Sequence, residues 1–315
     1  VQKKIAAFID ARRDQLLDLL SHLLRYPTVN PPGRNTAEAQ GFVAHYLAQL
    51  GCQVDSFEVY PGDPNVVGRL AGHDPKMGRS LILNGHIDVA EVGLTETWAH
   101  PPFEPVIRNG RIFARGAADL KGGMAAALFA LRALRELRVP LMGDVIFQSV
   151  VGEESGEAGT TACLERGYRA DFAVVVEPTQ LSIGGQGGVL TAWIVIQSPE
   201  TLHDGLRRRV VHAGGGLFGA GAIEKMAKII EGLAELERHW AVTKSYPGFE
   251  PGSNTINPAY IEGGRHPAFV ADRCALWITV HFYPNEKPEE VAREVADHVQ
   301  RIAQADPWLR HHPPQ

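Results

Sequence analysis

Five side chains carry the chemistry this sequence could perform: His86, Asp119, Glu153, Glu154 and Glu177. One imidazole and four carboxylates brought together would repel one another unless a cation held them. That donor set suits a borderline divalent ion, zinc first, with cobalt or manganese as substitutes. Two ions fit if Asp119 bridges them and the other ligands divide between them. Asp88 is two residues from His86 and on the same side of an extended chain. It is expected to accept the second imidazole N–H and fix the tautomer. Glu153, beside the ligand Glu154, is then free to act as general base toward water. Taken singly, each acid could equally be a solvated loop residue or the capped start of a helix.

What favours the joint reading is the placement of these residues along the chain. His86-Ile87-Asp88 follows a short apolar strand at 81–84. Asp119 follows a strand-like stretch at 111–114 and opens a helical segment at 121–137. Glu153-Glu154 follows an apolar strand at 144–151, and Glu177 follows one at 172–176. Groups just past the carboxyl ends of parallel strands converge in one crevice. The rest of this half predicts an amphipathic helix within 1–26 that ends before Pro27, and a helix over 36–50 closed by Gly51. Strands follow at 53–60 and 65–70, and a helix at 160–166. Strands alternating with helices imply an α/β domain whose mostly parallel sheet is flanked by helices.

After Gly184-Gly185-Gln186-Gly187-Gly188 the pattern changes. It predicts a strand at 189–196, a helix at 222–237, a long loop, a strand at 275–283 and a helix at 288–305. That fits a small α+β domain inserted into the larger one. The length of 315 residues exceeds what one core usually serves, so two domains are expected. A net charge of −5 leaves no basic excess to neutralise phosphates, so no nucleic-acid partner is expected. No apolar run approaches the ~20 residues of a membrane span. The first 26 residues, interrupted by Lys3, Lys4, Arg12, Arg13 and Asp14, lack the marks of a signal peptide. Cys52, Cys163 and Cys274 are scattered and odd in number, which argues against a disulfide framework and for a cytoplasmic setting.

The motifs Asn84-Gly85-His86-Ile87-Asp88, Trp98, Pro102-Phe103, Gly116-Ala117-Ala118-Asp119-Leu120-Lys121-Gly122-Gly123, Glu153-Glu154 and Glu177-Pro178 together resemble a known family. It is the zinc-dependent family of acetylornithine deacetylase, succinyl-diaminopimelate desuccinylase, aminoacylase and glutamate carboxypeptidase. The resemblance implies a zinc-exopeptidase-like catalytic domain with an inserted lid that also dimerises. It places the catalytic domain at 1–184 together with 299–315, and the lid at 185–298. By it, His86 and Glu177 bind one zinc and Glu154 the other, and Asp119 bridges both through a cis Asp119–Leu120 peptide. Glu153 is the base. His212, in Val211-His212-Ala213-Gly214, resembles the lid histidine that reaches the partner's site and stabilises the oxyanion. Read without the resemblance, His212 is a loop histidine held by backbone contacts.

Two departures bear on substrate and completeness. The family's last ligand is a histidine near the end of a longer chain, and the surroundings of His311 and His312 do not match it. The chain as given is therefore expected to lack that ligand and the final strands of the catalytic domain, and to bind metal weakly or at one site. In addition, His281 stands where many relatives carry an arginine that grips a substrate carboxylate. The leading expectation is an acetylornithine deacetylase-like amide hydrolase that removes an acyl group from a small amine. The missing arginine favours the alternative, a formyl-aminopyrimidine deformylase of thiamin salvage. A dipeptidase or carboxypeptidase is a further alternative. A non-catalytic dimeric binding protein of the same fold is the rival from another class, and the intact Glu153 argues against it.

Overall fold

The computed structural model describes residues 1–31, 35–74, 78–156, 158–182, 185–209 and 219–315. They form two compact units, Val1–Leu181 and Ser182–Gln315. The first begins with α1 (Gln2–Ala11), α2 (Arg13–Leu24) and α3 (Ala37–Gln49). The single helix expected before Pro27 is two, because the backbone at Arg12 leaves helical geometry at φ −127°. Next come β1 (Gln53–Tyr60), β2 (Asp63–Leu70), β3 (Leu81–His86), β4 (Val106–Arg108) and β5 (Arg111–Phe113). The unit closes with α4 (Lys121–Glu136), β6 (Val145–Val150), α5 (Ala158–Glu165) and β7 (Phe172–Val175).

Five of these strands form one sheet in the order β1-β2-β6-β3-β7. β6, β3 and β7 run parallel, while β1 and β2 extend the sheet through antiparallel pairs. The parallel part is thus three strands wide, with β3 in its centre. All six residues of β6 are buried, as expected of a strand inside a helix-flanked sheet. Helix α4 turns Met124, Ala125, Leu128 and Leu131 into a core shared with Leu23, Leu47 and Phe147. Truncating the fully buried Phe147 to alanine would cost about 3–5 kcal/mol.

Strands β4 and β5 stand apart from that sheet as a hairpin. Asn109 and Gly110 join them at φ 52° and 71°, the left-handed pair that a two-residue hairpin turn requires.

The second unit contains β8 (Gly188–Gln197), α6 (Ala222–Thr243), β9 (Thr255–Gly263), β10 (Arg273–Phe282) and α7 (Pro288–Ala305). Its antiparallel sheet has the order β8-β10-β9. Met226, Ile229 and Leu233 of α6, with Val291 and Val295 of α7, cover Leu276, Ile278 and Val280 of β10. Residues 299–315 belong here and not with the catalytic unit, a correction to the expected division. Val299, Ala303, Trp308 and Leu309 are buried in this second core, and Gln315 exchanges backbone hydrogen bonds of 2.8 and 2.9 Å with Val195. Among the described residues no helix is long and apolar enough to cross a membrane.

Candidate metal centre

The order of the parallel strands brings the predicted residues together. His86 ends β3, the central strand. β6 lies on one side and leads into the short 3-10 turn Glu153–Ser155. β7 lies on the other and leads to Glu177. The backbone fixes both neighbours, with Ile87 N–H donating to Val150 O at 2.9 Å and Val176 N–H to Asn84 O at 3.1 Å. Gly152 turns the chain out of β6 at φ 79°, a conformation that glycine adopts without steric cost.

Asp119 arrives by a different route from the one expected. The stretch before it is the β4–β5 hairpin, outside the five-stranded sheet, so Asp119 does not follow a strand of that sheet. A loop carries it to the start of α4, across a cis Asp119–Leu120 peptide. Leu120 is fully buried and anchors the turn. Gly123 allows the close approach of α4 to β7, because a Cβ there would lie 2.2 Å from Val176 O.

One ligand atom from each of His86, Asp119 and Glu154 lies within 4.8 Å of the others. His86 Nε2 is 3.1 Å from Asp119 Oδ1, 3.6 Å from Glu177 Oε1 and 3.7 Å from Glu153 Oε2. His86 is 1% exposed and the Asp119 side chain 55% exposed, so the site is reached from the aspartate side. His86 Nδ1 lies 2.9 Å from the Asp88 carbonyl oxygen. A carbonyl only accepts, so Nδ1 carries the hydrogen and Nε2 is left to face the carboxylates.

The Asp88 carboxylate has another task than the one expected. Its Oδ1 stands 3.6 Å from His86 Nδ1, and the Asp88 backbone carbonyl is what fixes the imidazole. Its Oδ2 accepts the Glu154 N–H at 3.1 Å and the Asn30 amide at 3.1 Å. Asn30 was missed at the sequence level because an asparagine before two prolines reads as a turn. Lys121, also missed, is fully buried and donates to Tyr26 O at 2.7 Å. Burial pushes its pKa down to about 7, against the pull of Asp88.

Charge crowding marks the site as one for a cation. Burial, and then the neighbouring Asp119 carboxylate, push Glu154 up to about 7. Burial opposes the His86 imidazolium, but Asp88 and Glu153 outweigh it and raise its pKa. A divalent ion amid these donors would relieve the crowding, and the donor set of one imidazole with carboxylates fits such an ion.

Other predicted residues fall elsewhere. His212 lies outside the described residues. In the second unit, Asn254 is 1% exposed and donates to Glu286 Oε2 at 2.6 Å. His281 is exposed on β10, paired with Val189 and Thr255. A cavity of about 720 Å³, lined by Trp98, His100, Phe113, Ala117 and Ala118 among others, opens immediately before Asp119 in the chain.

Residues 82–308 match the model of peptidase family M20/M25/M40. The chain belongs to this family and is a metal-dependent amidohydrolase. It is 59% identical over 314 residues to the N-formyl-4-amino-5-aminomethyl-2-methylpyrimidine deformylase of Halalkalibacterium halodurans, covering 100% of this chain and 74% of that protein. It is 57% identical over 314 residues to the deformylase of the same name from Bacillus subtilis, covering 100% of this chain and 73% of that protein. Among solved structures, human carnosine dipeptidase 1 superposes with a TM-score of 0.75 at 16% identity, over 100% of this chain and 79% of that one. These findings overturn the acetylornithine deacetylase-like expectation, since both relatives, matched along the whole of this chain, are named as deformylases of a formylated aminopyrimidine.

Proposed function

We propose that the protein hydrolyses the formamide of N-formyl-4-amino-5-aminomethyl-2-methylpyrimidine, releasing formate and the free aminomethylpyrimidine. The observation that carries this reading is 59% identity along the whole chain to a deformylase of that name. His281 supports it, because a formylated aminopyrimidine has no carboxylate for an arginine to grip. The cavity of about 720 Å³ beside Ala117 and Ala118 is of the size that small-molecule sites use.

His86, Asp119, Glu154 and Glu177 are the residues that would hold zinc, a reading supported by the grouping of His86, Asp119 and Glu154. Bound zinc supplies Lewis acidity, polarising the formyl oxygen and making water more acidic. Glu153, with Oε2 3.7 Å from His86 Nε2, takes a proton from water as its oxygen adds to the formyl carbon. It returns the proton to the nitrogen as the C–N bond breaks. Asp88 acts on this chemistry through Glu154, whose N–H it holds. On the strength of the family resemblance, His212 acts as an oxyanion donor. A cytoplasmic setting is supported by the free thiols of Cys52, Cys163 and Cys274. Dimerisation through the second unit is supported by its exposed cluster of Trp193, Tyr260 and Trp277.

The test measures, with zinc present, formate release from the formylated aminopyrimidine and acetate release from N-acetylornithine in parallel. Turnover of the pyrimidine alone is expected. Turnover of acetylornithine with no formate from the pyrimidine would overturn the proposal.

A further inference from the structure

The mechanism gives no role to the Asn30 amide, which is buried beside the metal centre. Asn30 is 4% exposed and follows a segment that runs beside the stretch after His86. Val89 N–H donates to Thr28 O, and Asn30 N–H to Val89 O, each at 2.9 Å. Thr28 Oγ1 donates to Ile87 O at 2.6 Å. These bonds deliver the Asn30 side chain between two parts of the metal centre. Its Nδ2 is 3.1 Å from Asp88 Oδ2 and 2.9 Å from Ser155 Oγ. A carboxylate only accepts, so the amide NH2, not its oxygen, faces Asp88. The same Asp88 Oδ2 accepts the Glu154 N–H. One amide therefore ties the chain just after His86 to the turn that carries Glu153 and Glu154.

We propose that Asn30 is a positioning residue for the metal centre: its amide clamps the Asp88 carboxylate to Ser155 and so holds the Glu153–Glu154 turn in register with His86. The inference rests on the reading of Glu154 as a ligand and Glu153 as the base. Its physical basis is the accounting at Asp88. That carboxylate is fully buried, and its Oδ1 has no hydrogen-bond partner among the described residues. Oδ2 carries the satisfaction, with Asn30 as one donor and the Glu154 N–H as the other. Without the amide, a buried charge loses a donor, which is costly enough to shift the carboxylate from its place. The Glu154 N–H and the Ser155 hydroxyl would lose their fixed partners with it. Tethers of this kind support metal affinity by holding ligands in bonding geometry.

The experiment compares the whole chain with Asn30→Ala, the near-isosteric Asn30→Asp, and Thr28→Val. Thr28→Val removes a bond of the same backbone segment but leaves the Asp88–Ser155 clamp intact. Zinc affinity is read by chelator competition, and ligand geometry by the visible absorption of the cobalt-loaded protein, beside the melting temperature. Asn30→Ala is expected to weaken zinc binding by roughly 10–100-fold and to alter the cobalt spectrum. Asn30→Asp, which sets a second carboxylate against Asp88, should weaken it at least as much while filling the same space. Thr28→Val should lower the melting temperature and leave affinity and spectrum unchanged. Wild-type affinity and spectrum in both Asn30 variants would overturn the proposal, as would an equal loss of affinity in Thr28→Val. If the unaltered chain bound no divalent ion at all, the metal-centre reading itself would fall, and this inference with it.

Discussion

His86 Nε2 faces Asp119 Oδ1 across 3.1 Å, although 33 residues separate them and they arrive from different structural layers. The imidazole ends the central strand of a sheet. The carboxylate comes from a loop between a detached hairpin and a helix. The meeting brings an acceptor nitrogen and an anionic oxygen to one point, with Glu154 and Glu177 close by.

Replacing Glu153 tests the assignment of the base. Glu153→Gln preserves shape and removes proton transfer, so formate release is expected to fall by about 10²–10⁴-fold. Zinc content, measured by atomic emission, should stay at the wild-type level. Loss of zinc together with activity would assign Glu153 to the ligand set instead.

The metal should also stabilise the fold. A ligand that binds only the native state adds about 2.7 kcal/mol when present at 100 times its Kd. The first unit is therefore expected to melt at a higher temperature with zinc than with a chelator. His86→Ala should abolish that difference, and a melting curve indifferent to zinc would contradict the assignment.

Much of this centre is legible in the residues themselves, because His86, Glu153, Glu154 and Glu177 sit just beyond short apolar stretches bounded by turn residues, which read as strands. The exception is Asp119. Residues 111–113 do form a strand, but three residues of alternating exposure pair only within a local hairpin. Strand β9 escaped notice for a physical reason as well. Pro258 lacks a ladder donor and so argues against a strand, and the structure accommodates it where the register with β10 shifts at Trp277/Ile278. Residues 299–315 were expected with the catalytic domain, and nothing in the sequence opposed it, because Trp308 and Leu309 are apolar residues that would suit either core. The substrate was ambiguous because the metal-binding motifs are shared by the whole family. Only His281 pointed away from a carboxylate-bearing substrate, and one position did not outweigh the rest.

That position yields a prediction of its own. His281→Arg places a guanidinium on the exposed face of β10, where it can pair with a carboxylate. We expect the ratio of kcat/KM for an N-acyl amino acid over the formylated pyrimidine to rise. The change should come mainly through a lower KM for the acyl amino acid. An unchanged ratio would show that this strand position does not meet the substrate.

Stability at acid pH should depend on Asp306. This carboxylate is 2% exposed, and it accepts from Lys225 Nζ at 2.8 and 2.9 Å and from the Trp308 and Leu309 N–H groups. Burial alone would raise its pKa, but the bonds from Lys225 and Lys228 win and hold it well below the usual carboxylate range. The folded value is thus depressed, so its contribution is complete above the unfolded pKa of about 3.9 and is lost as pH falls toward the folded value. Asp306→Ala leaves Lys225 buried without its partner and should cost about 3–5 kcal/mol at neutral pH. Urea unfolding between pH 7 and pH 2 checks both points. The gap between wild type and variant should narrow on acidification, and a constant gap would refute the linkage.

The most direct test is to locate the ion. Crystals grown with zinc, measured at the zinc absorption edge, should show anomalous density about 2.0–2.2 Å from His86 Nε2 and from carboxylate oxygens of Asp119, Glu154 or Glu177. Density confined to other residues, or none in zinc-saturated crystals, would contradict the account.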